Sequence, residues 1–431
     1  MNRTAAIHTI GCRLNQADSA LICGRLRLAG WRVVEADSDE KADLLIINSC
    51  SVTGAAAQKS RQAARRFRKL NPGCKVIITG CSAEADHGQW LKDGDADLVI
   101  PNPDKRNIIG LIHELFEGVK PDRVHFSMDE KHGDVFSENA TADFPFKSRA
   151  FIKVQEGCEN FCSYCIVPYT RGPERSRAWD EIIGDFEQLL AHGFHEIVLT
   201  GVNICAYNDQ GRGLPALIDK LCSYPGSYRI RLSSTEPHPD NRELIEAMAR
   251  NPKVCRFLHL ALQHGSDAIL RAMNRKYTAA GYKAFAEAAR EAIPGIHIGT
   301  DLIVGFPGET DELFEESCRL VREMHFANMH IFSFSPRQGT PAASMPDQVP
   351  PAVAKERYAK LQEIAAASKK EFHRSQLGIP VGVIFEKESD GVFTGWSDNY
   401  ISVSCTRPQI PLHEIVEVTP CELTPDGLLA R

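Results

Sequence analysis

Between residues 151 and 334, six short apolar runs (152–155, 196–200, 229–233, 257–262, 297–304 and 328–334) recur at intervals of roughly 30 to 45 residues, with amphipathic stretches between them. Few folds tolerate this pattern. Strands separated by a helix-length of chain run parallel, and right-handed crossovers place every intervening helix on one side of the sheet. The expected product is a TIM-type (βα)6 barrel, partial rather than complete, with its reactive groups at the carboxyl ends of the strands.

The flanking segments read differently. Residues 1–120 show the same alternation over four runs (5–10, 44–48, 75–79 and 98–100), which predicts an α/β domain with an open parallel sheet. Residues 121–148 lose periodicity and read as a linker. The barrel domain is then expected over 149–377, ending in a helical pattern at 352–377. From 378 to 431 the apolar period becomes two, at Val381, Val383 and Phe385 and again near Tyr400, Ile401 and Val403, which predicts a small β-barrel. Apolar residues make up 43% of the 431 and charged residues 25%, excluding a disordered chain. No run approaches the roughly 20 apolar residues that span a bilayer, so no membrane partner is expected. The first nine residues carry no secretory leader, and the chain reads as cytoplasmic, where thiols stay reduced.

That expectation gives the 14 cysteines their interest. Cys158, Cys162 and Cys165, in KVQEGCENFCSYCIVPYTRG, follow the first barrel run. Three thiolates on one loop can hold three irons of a cubane cluster and leave the fourth open. Structural zinc usually takes four protein ligands, and no fourth follows here. Cys12, Cys50 and Cys81 each lie just past an apolar run of the amino-terminal segment. In an open parallel sheet those ends face one way, so the three thiols can meet in one crevice. The other eight cysteines share no spacing and read as small apolar or surface residues.

The loop at 158–165 resembles the radical S-adenosylmethionine (SAM) signature, with Tyr164 as the aromatic before the third cysteine. The resemblance implies a 4Fe-4S cluster whose open iron binds SAM. TIGCRLNQADS, NSCSVTGAAAQKSRQ and TGCSAE resemble the amino-terminal domain of the methylthiotransferases, in which three cysteines hold a second 4Fe-4S cluster. The likeness continues through LTGVNICAY, RLSSTEP, HLALQHGSDAILRAMNRKYT, TDLIVGFPGET and FSFSPRQGTPAA. GCRLNQ resembles the MtaB-like branch, which modifies N(6)-threonylcarbamoyladenosine in tRNA, and VFTGWSDNYISV resembles the TRAM module, an RNA-binding β-barrel. These likenesses imply a transferase that adds a 2-methylthio group beside the anticodon. Its partners would be the tRNA anticodon stem-loop, an electron donor and a sulfur source. Sibling substrates are isopentenyladenosine or a ribosomal-protein aspartate. The non-catalytic reading is an iron–sulfur electron carrier or sensor.

Other residues are read with and without the resemblance. Gly305, Pro307 and Gly308 form a turn that Thr310 can cap into a helix, and they resemble a motif lining the SAM pocket. Thr200, Gly201 and Asn203 hold the equivalent place after the second barrel run. Arg61, Arg65, Arg68 and Lys69 form the charged face of a helix at 59–70, suited to a solvated surface or to RNA phosphates. Arg171, Arg175 and Arg177 flank the cluster loop and are expected to meet phosphate or the substrate carboxylate. His259 and His264 read as structural. From Gly378 onward, three basic residues face eight acidic ones, so that domain either binds RNA through Phe393, Trp396, Asn399 and Tyr400 or braces the barrel.

Overall fold

The structure is a computed structural model that describes residues 3–36, 38, 40–51, 54–119, 133–138, 143, 148–237 and 241–431. Five parallel strands form the amino-terminal sheet: Thr4–Thr9, Arg32–Glu35, Leu44–Ser49, Lys75–Gly80 and Leu98–Val99. Their spatial order is second, first, third, fourth, fifth. Every residue of the central strand Leu44–Ser49 is buried, because helices cover both faces. Leu44 and Ile46 pack with Ile22, Leu26 and Ile112 on one side. Leu45 and Ile47 pack with Ala64, Phe67 and Trp90 on the other. The edge strand Arg32–Glu35 is not among the expected runs, since only its two central residues are buried.

The barrel strands are Ala150–Lys153, Glu196–Thr200, Arg229–Leu232, Phe257–Leu260, His297–Val304 and Asn328–Ser333. All pair in parallel. Beyond Leu232 the chain continues as Ser234–Thr235, which pairs with the fourth strand at Ser234↔His259 and carries the curl onward. The first and last strands do not pair among the described residues, so the barrel is partial, as expected. Its open flank is covered from outside. Ala17 and Ala20, on the helix Arg13–Leu28 of the amino-terminal sheet, sit in the barrel's own core with Ala150 and Ile152.

The helix Pro351–Ser375 leads into six further strands, Val381–Ser389, Val392–Ser397, Ser402–Cys405, Ile415–Val418, Pro420–Leu423 and Leu428–Ala430. They form one sheet curled around Val383, Phe385, Ile401 and Val403. The expected small β-barrel takes the form of a half-barrel with Ile415–Val418 and Pro420–Leu423 at its edges. These two edges are consecutive in the chain and joined by Thr419 alone, too short a link for a hairpin. Most of the expected linker lies outside the described residues. Within it, Val135–Phe136 adds a short strand beside Arg175–Arg177.

The half-barrel docks at the amino ends of the barrel strands. Arg229 donates to the carbonyls of Gly382 (2.8 Å) and Trp396 (2.9 Å), and Arg231 to those of Asp398 (2.9 Å) and Ser397 (3.1 Å). Both guanidiniums also pair with the buried Glu196. The arrangement braces the barrel.

Candidate metal and cofactor site

Gly157 opens the loop that carries Cys158, Cys162 and Cys165. Its φ is +78°, and a Cβ there would lie 1.7 Å from the Pro173 carbonyl oxygen, so only glycine lets the two backbones meet. The loop is pinned on both sides. The Cys158 N–H donates to Gly172 O (3.0 Å), Ser163 N–H to Met273 O (3.0 Å), and Cys165 N–H turns back to Cys162 O (2.9 Å). Burial, with smaller contributions from the neighbouring sulfurs, pushes the Cys158 and Cys165 thiols up to about 12, so the three lie within one another's field. A single cation answers them: Arg275 Nη1 lies 3.0 Å from Cys162 Sγ, while its Nη2 donates to Glu236 (2.7 Å).

The second set follows from the strand order. A 2-1-3-4-5 parallel sheet has its switch point between the first and third strands, where a crevice opens at the carboxyl ends. Cys12, Cys50 and Cys81 directly follow or nearly follow the first, third and fourth strands, which are neighbours in space. Adjacent strands lie about 4.8 Å apart, so three thiols on these ends converge. Gly11, at φ +120°, lets them close in: a Cβ there would sit 2.7 Å from Cys50 Cβ.

Arg171 ties the two sets together. Its Nε lies 3.5 Å from Cys81 Sγ, Nη1 pairs with Glu156 (2.7 Å), and Nη2 with Asp18 (3.1 Å) and Asn15 (2.8 Å). Asp18 in turn accepts from Lys105 (2.7 Å) and Lys153 (2.9 Å). The short helix Cys81–Ala85 packs against Val167–Arg171, which starts two residues after Cys165, so the two sets lie on either side of this junction.

The donor chemistry fits two iron–sulfur clusters. Each triad supplies three sulfurs and no carboxylate or imidazole ligand. Unpartnered buried oxygens flank both: Ser51 Oγ and Thr79 Oγ1 beside the sheet cysteines in sequence, and Asn203 Oδ1 beside the barrel loop. A buried polar atom without a protein partner costs free energy unless a bound group supplies one.

The structure sorts the remaining expectations. Tyr164 lines a cavity of about 200 Å³ with Cys165, Ile166, Gln263, Asp301, Phe332 and Arg337. Asn203 lines a second cavity with Cys162, Glu236, Arg275 and Tyr277. Thr200 is buried, and Gly201 approaches the Gln155 backbone, whose side chain accepts from the Asn203 N–H (2.8 Å). Gly305, Pro307 and Gly308 are not among the described lining residues of either cavity. A Cβ on Gly305 would meet Ala354, its N–H donates to Glu309, and Glu309 pairs with Arg357 (3.1 Å) and His264 (3.3 Å). That turn braces the long helix. Thr310 does cap the following helix, accepting from Leu313 N–H.

The expected RNA contacts need correcting. Arg171 and Arg175 are buried, leaving no surface for a phosphate. Arg177 pairs with Glu181 and Asp185. Arg61, Arg65 and Arg68 face Asp93, Asp95 and Asp97 at 2.7–3.4 Å, which neutralises much of their field. Lys69 is exposed. In the half-barrel, Asn399 is buried against Gln376, and Tyr400 lies under Arg13, Arg149 and Arg231. Sequence reasoning missed Arg275, Arg337 and the trio in which Asp301 binds His259 (3.0 Å) and His330 (3.1 Å). Arg275, Arg337, His259 and Asp301 lie inside the family-like stretches quoted above, but they were given no such role because what they face comes from strands far along the chain.

Comparison with known proteins adds family context to this geometry. Residues 152–321 match the family described as the Radical SAM superfamily, and residues 4–101 match Uncharacterized protein family UPF0004. The chain is 34% identical to the threonylcarbamoyladenosine tRNA methylthiotransferase MtaB of Bacillus subtilis, over 96% of this chain and 93% of that one. It is also 34% identical to a tRNA-2-methylthio-N(6)-dimethylallyladenosine synthase of Cereibacter sphaeroides, over 99% of this chain and 98% of that one. Among solved structures, the radical SAM methyltransferase TsrM of Kitasatospora setae shares the fold with a TM-score of 0.60 at 15% identity, covering 80% of this chain and 77% of that chain.

Proposed function

The chain belongs to the radical SAM methylthiotransferase family, and from that premise we propose that it adds a 2-methylthio group to N(6)-threonylcarbamoyladenosine on the 3′ side of a tRNA anticodon. The observation that carries the reaction type is the pair of cysteine triads facing each other across Arg171. The choice of substrate is supported by the MtaB relatives, 34–36% identical over nearly the full chain.

The target carbon carries an aromatic C–H without useful acidity, so a side-chain base has nothing to abstract. When bound, two 4Fe-4S clusters and SAM supply radical C–H activation and sulfur transfer. In this reading Cys158, Cys162 and Cys165 hold the cluster that works with SAM, and Cys12, Cys50 and Cys81 hold the one that presents sulfur. Tyr164 forms a wall of the cavity beside Cys165, and Asn203 lines the other cavity with Cys162. Arg275 offsets the negative charge that three thiolates bring to the barrel mouth. Arg171 fixes the distance between the two mouths by holding Glu156 of the barrel and Asp18 of the sheet at once. The flipped base would enter between them, where apolar residues such as Ile166, Ile303 and Phe334 exclude water. An electron donor and a sulfur source complete the cycle.

Nucleoside mass spectrometry tests the proposal. The gene is expressed in a bacterial host that lacks its own threonylcarbamoyladenosine methylthiotransferase. The expected result is appearance of the 2-methylthio derivative of threonylcarbamoyladenosine. A 2-methylthio mark on isopentenyladenosine alone would overturn the substrate, and no cleavage of SAM by the reconstituted, reduced protein would overturn the enzyme.

A further inference from the structure

The groups expected to meet RNA are largely spent. Arg61, Arg65 and Arg68 face aspartates, Arg171 and Arg175 are buried, and the half-barrel turns Trp396 and Tyr400 toward the arginines Arg149 and Arg231. A different set of side chains is open to solvent. Among the described residues, the three most exposed Phe, Tyr or Trp side chains are Tyr169 (49%), Phe161 (48%) and Phe332 (40%). All three belong to the barrel mouth that carries the cysteines. Phe161 lies on the loop between Cys158 and Cys162, Tyr169 stands on the helix Val167–Arg171 just after Cys165, and Phe332 lines the cavity with Tyr164 and Cys165.

Phe161 and Tyr169 act as a unit. Their ring centroids are 6.0 Å apart and their planes meet at 75°, edge to face. Phe161 has φ +44°, a conformation that a bulky side chain rarely adopts. Such a residue persists only where its surroundings over-determine it. Asn274 does so here: its amide donates to Asn160 O (3.1 Å) and Phe161 O (2.9 Å), while its own oxygen accepts from Lys276 (2.9 Å). An apolar ring kept in water by a strained backbone gains the fold nothing, so the strain points to a guest.

The guest follows from the site. A base drawn into the cavity beside Cys165 leaves its neighbours in the loop unstacked at the rim. Stacking on aromatic rings is how proteins hold such bases, and it needs no positive charge, which suits a chain of net charge -6. Two rings at 75°, flanked by the polar Asn160 and Asn274, make a notch for one base, one ring against its face and the other at its edge. A protein partner needs about 800 Å² on each side, far more than two side chains offer. We propose that Phe161 and Tyr169 form a stacking notch for a nucleotide next to the target base in the anticodon loop. This rests on the tRNA reading given above.

The test is a coupling measurement on the full-length, reconstituted protein. Binding is measured for an anticodon stem-loop carrying threonylcarbamoyladenosine, and for two copies of it that are abasic at the nucleotide directly 5′ or directly 3′ of that base. The wild-type chain is expected to bind one abasic RNA about 5- to 100-fold more weakly than the intact one, the range of a single lost stack. Phe161→Leu and Tyr169→Leu are each expected to weaken binding of the intact RNA and to shrink that difference, because the missing base then has one ring fewer to lose. Phe161→Tyr is expected to keep both. Iron content is measured on every variant, and Tyr169, outside the cysteine loop, decides the matter if Phe161→Leu loses iron. Leucine variants that weaken intact and abasic RNA by the same factor would show a merely structural effect and overturn the proposal. Unchanged RNA binding with slower reduction of the barrel cluster by a flavoprotein, followed by electron paramagnetic resonance, would assign the rings to a protein partner and overturn it too. A wild-type chain that binds the stem-loop no better than an unrelated hairpin would bring down the tRNA reading itself. One that binds it better yet ignores both abasic sites would bring down only the notch.

Discussion

At the scale of single residues, the six cysteines proposed as ligands divide into two groups whose losses are expected to differ. Cys162 sits against Arg275 at the barrel mouth, whereas Cys50 lies behind Gly11 in the sheet crevice. Cys162→Ala is expected to remove about four irons per chain and end cleavage of SAM to 5′-deoxyadenosine. Cys50→Ala is expected to remove a similar amount of iron, keep cleavage, and block sulfur insertion. Iron analysis and assay of both products check the division, and loss of cleavage in a folded Cys50→Ala chain would contradict it. Gly157→Ala tests the loop itself: a Cβ 1.7 Å from Pro173 O at φ +78° forces the Cys158 backbone away, so iron loading of the barrel site should fall with all three cysteines intact. The Cys158–Cys165 set could be proposed from the sequence because its spacing on one loop is local, whereas Cys12, Cys50 and Cys81 could be proposed only from their places after three strands and from the family likeness. The role of Arg275 was not legible, although it lies inside a family-like stretch, since it is 113 residues from the thiol it touches.

At the scale of elements, the helix Gly54–Leu70 shows how a charge pattern misleads when its neighbour is unknown. The basic face was readable, but the turn after the helix His87–Lys92 brings Asp93, Asp95 and Asp97 against it from about 30 residues downstream. Its arginines are therefore weaker phosphate ligands than their number suggests. Replacing all three aspartates by asparagine is expected to tighten RNA binding severalfold at low salt and to steepen its salt dependence, measured by titration across ionic strength. Unchanged affinity and slope would mean that this helix faces away from RNA. The strands that carry the cysteines were legible as full-length apolar runs. The edge strand Arg32–Glu35 was not, because it buries only Val33 and Val34 between two exposed charged residues and its pairing with the first strand supplies what its composition lacks. The open edges of the half-barrel were hidden for a related reason, since a period of two reports strands and not whether the sheet closes.

At the scale of the whole molecule, a buried carboxylate lies at the centre of each junction. Asp18 joins sheet to barrel among Lys105, Lys153 and Arg171, and Glu196 lies beneath the half-barrel with Arg229 and Arg231. Burial alone would raise both carboxyls, but the surrounding cations outweigh it and hold both below the ordinary carboxylate range. A carboxyl depressed in the folded chain contributes stability that is complete above its unfolded value and drains away as pH falls below about 4. The junctions should therefore loosen in acid before the barrel's own apolar core does. Small-angle scattering is expected to show expansion at a pH where far-ultraviolet circular dichroism still reports native helix. Simultaneous loss of both signals would tie the junctions to global unfolding. Asp18→Asn brings the same effect to neutral pH at one junction only, by taking from the buried Lys105 its described carboxylate partner while Lys153 and Arg171 keep Glu156, at a cost of about 3–5 kcal/mol. Because Asp18 touches neither cysteine set, iron content and SAM cleavage should survive this change. Sulfur insertion should not, since it needs the two triads at a fixed separation. A variant that still transfers sulfur at the native rate would show that the junction is stabilised elsewhere, and that the distance between the clusters does not depend on the network around Arg171.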